Sequence, residues 1–240
     1  MRRPAIISIS VATMVILACA LFFLQHFRSS VLSLSALASK PIRPPASWAD
    51  DCSRLLRAVR GSDRHLAENT TTLSSDEAAI YGIVLQNWQS KNGKPLNVSD
   101  KTIPLDATSA MGISDCECLK DIDVESLVTA SHSFHRLGRY FPSGSNIRLV
   151  DANLQMRTVH DNDPRNSIGK GNSVDSAVNN AFDTGLFSLS QIAFDNQHRR
   201  ALVMYSFVCG SLCGSGGAWL FENVNGEWKR IEHLCGGWVS

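Results

Sequence analysis

From Leu186 to Leu234 the chain carries four strand-like runs, LFSLSQIAF, ALVMYSFV, AWLFENV and EWKRIEHL, parted only by short polar or glycine-rich gaps. A parallel connection needs a dozen or more residues, so gaps this short make the runs antiparallel neighbours. The last gap, Asn225-Gly226, is the strongest short hairpin signal, because both residues tolerate positive φ. The second run, Ala201 to Val208, is nearly all apolar and suits a central strand covered on both faces. A C-terminal antiparallel β-meander is therefore the feature that any fold of this chain must accommodate.

Upstream the apolar period lengthens to that of helices. Ser74-Ser75-Asp76-Glu77 forms a capping box, in which the Ser hydroxyl and the Glu carboxylate each satisfy an otherwise unpaired backbone N–H. Ile80, Ile83, Val84 and Trp88 then recur at helical spacing, and Asn92-Gly93 with Pro95 predicts the stop. A second helix is predicted from about Asp123, with Val124, Leu127 and Val128 on one side. Trp48 to Arg60 reads as an amphipathic helix containing Cys52, Gly61 to Leu73 reads as a loop, and Pro95 to Leu105 has room for a short strand. Arg148 to Asp183, with its loop-like HDNDPRNSIGKGNS, receives no assignment. Helices first and a meander last predict an α+β domain, with the helices packed on one face of the C-terminal sheet.

The N-terminus constrains location. Ala5 to Leu24 is a run of twenty uncharged, mostly apolar residues. At about 1.5 Å per residue it spans about 30 Å, the thickness of a bilayer core. A cleaved signal has a shorter apolar region, closed promptly by a small-residue site. Here Ala36-Leu37-Ala38 lies well beyond the run, and the lipoprotein-like Ile16-Leu17-Ala18-Cys19 has an atypical Leu. The expectation is an uncleaved anchor over residues 1–28 with its transmembrane helix at about 5–24, a cleaved signal being the alternative. A Pro/Ser-rich linker over 29–47 and a single domain over 48–240 follow.

Outside the anchor stand six cysteines: Cys52, Cys116, Cys118, Cys209, Cys213 and Cys235. An even number suits an oxidising compartment, so the domain is expected outside the cytoplasm, periplasmic or extracellular. All six are disulfide candidates. The net charge of +1 argues against nucleic acid, which requires a clustered basic surplus. Without Arg2, Arg3 and Arg28 the remainder has 20 basic against 22 acidic residues.

The order of features from about Ser75 onward resembles a family of uncharacterised bacterial exported or membrane-anchored proteins. The resemblance rests on AIYGIVL at Ala79 to Leu85 and on the serine-bearing LSQIAFDNQHRRALVMY. It rests further on CG-x-LCG-x-G at Cys209 to Gly216, G-x-W-K at Gly226 to Lys229, and the terminal Trp238-Val239-Ser240. It covers about two-thirds of the chain; it implies a fold and assigns no catalytic residues. Cys235 and its double glycine are not a constant part of that pattern.

Against that background the chemistry-bearing residues admit several readings. Cys209 and Cys213 flank a turn and lie within reach of each other, which predicts a structural disulfide; Cys235 or Cys52 are alternative partners. Gly210, Gly214, Gly216 and Gly217 are expected to supply positive φ at that turn. A Cys3His zinc site from Cys209, Cys213, His233 and Cys235 is the sharper alternative, opposed by the oxidising compartment. Neither Cys116-x-Cys118 nor Cys209-x3-Cys213 matches the Cys-x-x-Cys redox motif, and Ile168-Gly169-Lys170-Gly171 lacks the rest of a P-loop. There is no G-x-S-x-G or H-E-x-x-H. His132 and His135 at i, i+3 could chelate a metal, but a polar helix face explains them more cheaply. His160-Asp161-Asn162-Asp163 reads as solvated loop. Trp219, Phe221 and Trp228 read as core or cross-strand pairs before they read as a binding face. Asn69-Thr70-Thr71 and Asn97-Val98-Ser99 are glycosylation sequons.

No cofactor and no catalytic residue follows. The leading expectation is a non-enzymatic, membrane-anchored envelope module that binds a protein, peptide or envelope component. The alternative is a small hydrolase or a thiol- or metal-dependent enzyme whose residues converge only in three dimensions.

Overall fold

A computed structural model describes residues 56–57, 65–86, 88, 94–106, 118–138 and 146–240. In chain order its elements are β1 (Ala67–Glu68), α1 (Ser75–Gln86), β2 (Leu96–Ser99), α2 (Val124–Ser131), β3 (Ser133–Phe134) and β4 (Ile147–Val150). Then come α3 (Ala152–Asp161), α4 (Pro164–Gly169), α5 (Val174–Thr184), β5 (Leu186–Phe194), β6 (Arg200–Gly210), β7 (Cys213–Val224) and β8 (Glu227–Val239). The class is mixed α+β with a mainly antiparallel sheet. The apolar run at 5–24, most of the Trp48–Arg60 segment, Cys52 and Cys116 lie outside the described residues. Among those described, no helix is long and apolar enough to cross a membrane.

The six-stranded sheet has the order β4-β2-β5-β6-β7-β8, and the four C-terminal strands form the expected meander. The Asn225-Gly226 turn closes β7 onto β8 with φ of 58° and 86°, as a two-residue primed hairpin demands. The sheet also gains two strands on its other side. β2 pairs in parallel with both β4 and β5, so the chain between them crosses the sheet through helices.

Those crossovers correct the one-face expectation: both faces are covered. On one face Ile80, Tyr81 and Val84 of α1 and Ala181 of α5 pack with Phe187, Val203, Phe207 and Phe221. On the other, Leu127 and Val128 of α2 pack with Ala193, Leu202, Met204 and Leu220. Successive β6 residues therefore reach opposite cores, which is why that run is apolar at nearly every position.

The capping box forms as the sequence predicts. Glu77 Oε2 accepts from Ser74 N at 2.7 Å, and Ser74 Oγ accepts from Glu77 N at 3.2 Å. α1 ends at Gln86, however, short of Asn92-Gly93, and α2 starts behind its N-cap Asp123. The unassigned stretch from Arg148 to Asp183 holds β4 and three helices. Each helix opens on a capping side chain: Asp151 accepts from Leu154 N, Asp163 from Arg165 N with Pro164 following, and Ser173 from Ser176 N.

Alternation along β5 breaks at a bulge between Leu189 and Ile192, where Ser190 and Gln191 are both buried. Ser190 Oγ accepts from Met204 N at 2.8 Å, and Tyr81 Oη donates to Ser190 O at 2.9 Å. The Ser190 hydroxyl thus supplies a hydrogen bond that the interrupted ladder lacks.

Candidate functional site

The β6–β7 hairpin is stapled. Cys209 and Cys213 form a disulfide with Cα atoms 5.0 Å apart. Cys118 and Cys235 form a second, joining the segment before α2 to β8 across 117 residues. Three of the four ligands in the zinc alternative are therefore engaged in two separate disulfides. Among the described residues no group of three or more His, Cys, Asp or Glu could hold a metal ion.

The turn itself is shorter than expected. Only Ser211 and Leu212 lie between the strands, and Gly214, Gly216 and Gly217 belong to β7. None of these three has positive φ, contrary to the turn reading. They permit close approach instead. A Cβ on Gly216 would meet Trp238 Nε1 at 2.4 Å, and one on Gly217 would meet Gly236 O at 2.9 Å. Gly210 lies against Pro164, whose Cδ is 2.8 Å from the position a Cβ would take. Asp163 holds the turn from the α4 side. Its Oδ2 accepts from Ser211 N at 2.9 Å and from Ser211 Oγ at 2.6 Å. These bonds, helped by the Arg165 N–H and guanidinium and opposed by burial, lower its pKa to about 2. Leu212 stands at the tip, 68% exposed.

The candidate histidines separate. His132 caps α2 and His135 lies beyond β3, so they do not share a helix face. His160 and Asp161 end α3, while Asn162 and Asp163 are caps rather than solvated loop. His135 is buried in a polar network. Gln191 is oriented so that its oxygen accepts from His135 N at 2.9 Å and its amide donates to Nδ1 at 3.1 Å. Nε2 faces Thr71 Oγ1 at 3.4 Å, and Thr71 in turn donates to Asn69 Oδ1 at 2.7 Å. Glu77 Oε1 stands 3.7 Å from Nδ1, beyond hydrogen-bond range. Thr71, His135 and Glu77 thus line up like a nucleophile, base and orienting acid, but the Thr71 hydroxyl directs its proton to Asn69 rather than to His135. Of the two sequons, Asn97 is 1% exposed with its amide bonded to Asp183 O and Gly185 O, whereas Asn69 is partly exposed.

A different cluster carries unspent hydrogen-bonding capacity. Trp219, Phe221 and Trp228 are all buried on the α1 face of the sheet, as the core reading expects. Trp219 is 4% exposed, and its indole nitrogen has no hydrogen-bond partner. The ring is flanked by Tyr205 at 4.8 Å between centroids and covered by the Arg230 guanidinium at 3.6 Å. Trp88 completes the group, 5.5 Å from Tyr205 and 5.2 Å from Phe187. Burial raises the Tyr205 pKa, while Arg230 and the nearby Trp219 N–H pull it down. That N–H approaches the Tyr205 oxygen without reaching hydrogen-bond geometry. Tyr205 and Arg230 escaped the sequence reading. The signal available was an aromatic on each of two adjacent strands and an exposed arginine on the third, where Arg230 stands opposite Phe221 and reaches Trp219 diagonally on the same face.

A polar cleft of about 620 Å³ lies between the β5–β6 and β7–β8 turns. Two of its three carboxylates have structural work: Asp195 Oδ1 accepts from Arg199 N and Arg200 N, and Asp121 pairs with Arg200.

Fold and site together define a disulfide-bonded mixed α+β domain with an aromatic–arginine cluster on its sheet. Comparison with known family models, curated proteins and solved structures found no match.

Proposed function

We propose that this chain is a membrane-anchored envelope module, exposed outside the cytoplasm, that binds a protein, peptide or envelope component and catalyses no reaction. The observation that carries the binding role is the group formed by Tyr205, Trp219 and Arg230. Its indole N–H is buried without an acceptor, and its guanidinium rests on an aromatic face with no carboxylate partner among the described residues. A buried donor left unpaired costs about 1–3 kcal/mol, a cost that a bound acceptor removes. The location rests on the apolar run at 5–24 and on the disulfides, which belong to an oxidising compartment.

Location is tested in intact cells or spheroplasts with an impermeant thiol reagent, before and after an impermeant reductant. Labelling that rises on reduction without lysis supports the placement, and labelling only after lysis overturns it. The enzymatic alternative has one geometric support, the line of Thr71, His135 and Glu77. Ester or amide hydrolysis by the full chain, abolished in Thr71→Ala, would favour it over the binding reading.

A further inference from the structure

The binding reading leaves the ligand's chemistry open, and the donor inventory at the site narrows it. Tyr205 Oη, Trp219 Nε1 and the Arg230 guanidinium make no hydrogen bond with any described residue, and none of the three groups is anionic at neutral pH. Tyr205 keeps its proton because burial raises its pKa, and guanidinium is charged throughout. Trp219 Nε1 can only donate. A group that satisfies all three is an acceptor, and the arginine makes a negative acceptor the better match.

The count of charges selects among anions. One guanidinium and two neutral donors balance a single negative charge, whereas a phosphate dianion needs more positive charge than this face supplies. A planar carboxylate also fits the fork of one arginine. Gly217 stands opposite Tyr205 in β6–β7 pairing and opposite Gly237 in β7–β8 pairing, so the Tyr205 hydroxyl lies over backbone, 3.4 Å from where a Gly217 Cβ would stand. The half-buried rings of Trp88 and Tyr205 offer an apolar wall next to it. Arg230 is exposed and, among the described residues, is held by its stacking on Trp219, so it can swing from the ring towards an incoming anion and uncover the indole nitrogen.

We infer that the Tyr205–Trp219–Arg230 face binds a carboxylate borne on an apolar ligand, of the kind presented by the C-terminus of a peptide. The inference rests on the binding reading above and names the chemistry of its ligand.

The test uses the full chain in detergent with ¹⁵N-labelled tryptophan, the Trp219 indole resonance being assigned by its loss in Trp219→Phe. The probes are N-acetylphenylalanine and its neutral amide at pH 7. The acid is expected to shift the Trp219 indole resonance saturably, with the amide at least about tenfold weaker. Arg230→Gln, a change at an exposed position, is expected to weaken the acid by a similar factor, with Arg230→Lys in between. Equal binding of acid and amide would overturn the carboxylate inference while leaving the face as a binding site. A Trp219 resonance unmoved by either probe at millimolar concentration would overturn both. Unchanged binding by Arg230→Gln would remove the arginine, and with it the charge argument.

Discussion

Trp238 pairs directly across β7–β8 with Gly216, and its indole nitrogen occupies space that any larger residue at 216 would need. The Tyr205 carbonyl closes the same space from β6, 2.9 Å from where a Cβ would stand. Gly214 extends the seat, since its Cβ would fall 3.0 Å from Trp238 Cη2. Gly216→Ala is therefore expected to destabilise the domain by about 1–3 kcal/mol, the usual cost of overpacking. Trp238→Ala in the same chain should recover part of that loss, because it removes one of the two clashes. Urea unfolding of the single and double variants measures both, and an unshifted midpoint in Gly216→Ala would sink the idea of a glycine seat.

The two disulfides should differ widely in their effect on stability. Cys118–Cys235 closes a span of 117 residues and Cys209–Cys213 one of four. In the loop-entropy model the first contributes about 5 kcal/mol and the second about 2 kcal/mol. Cys118→Ser with Cys235→Ser is expected to cost the larger amount and leave the domain marginal or unfolded. Cys209→Ser with Cys213→Ser should fold, with its loss concentrated as faster amide exchange at the hairpin. Equal shifts in the two double variants would show that loop length does not govern here.

Acid should loosen the hairpin before it unfolds the domain. The folded pKa of Asp163, lowered to about 2 chiefly by the Ser211 hydroxyl and N–H, lies below its ordinary value of 3.8. The stabilising charge is thus fully present above about pH 4 and lost as pH falls towards 2. Asp163→Asn is expected to cost about 1–3 kcal/mol at pH 7, from a weakened cap and weakened bonds to Ser211, and to flatten the profile in that window. Stability of both proteins measured from pH 2 to 6 decides the point. A parallel acid slope in the variant would assign the effect to another carboxylate.

How far the fold could be read from sequence depended on how local its causes are. β5 runs over Leu186–Phe194, the limits its apolar run suggests, and Asn225-Gly226 forms the turn its two residues favour. The helices of the 152–184 segment had equally local causes in Asp151, Asp163-Pro164 and Ser173, but polar composition masked those caps. β2 lies within Pro95–Leu105, where the sequence left room for a short strand, but β4 and the parallel pairing of both were less accessible, since they depend on partners far along the chain. Six cysteines do not reveal which pairs form, so Cys118–Cys235 was one possibility among many. Gly214 and Gly216 were legible as special but not in their purpose: the residue they accommodate, Trp238, is more than twenty positions away. The Tyr205–Trp219–Arg230 group needed three strands in register, which no single strand's pattern foretells.

The bulge in β5 depends on one phenol. Tyr81 is fully buried, and its hydroxyl donates to Ser190 O at the point where the β5–β6 ladder is interrupted. Tyr81→Phe keeps the ring and removes that donor, which strands a buried carbonyl and is expected to cost about 1–3 kcal/mol. The same burial, reinforced by the Glu77 carboxylate, holds the Tyr81 pKa well above 10. Below pH 10 the phenol is protonated in both states and contributes no pH dependence. Above it the unfolded chain loses the proton and the folded one keeps it, so stability falls as pH rises. Tyr81 should therefore ionise only together with unfolding. Phenolate absorbance and far-ultraviolet circular dichroism followed through an alkaline titration test this, with Tyr81→Phe as the reference. In the wild type one phenol is expected to appear in step with the loss of secondary structure, and in Tyr81→Phe that component should be missing. A Tyr81 signal that titrates while the sheet is intact would mean that the bulge is open to solvent.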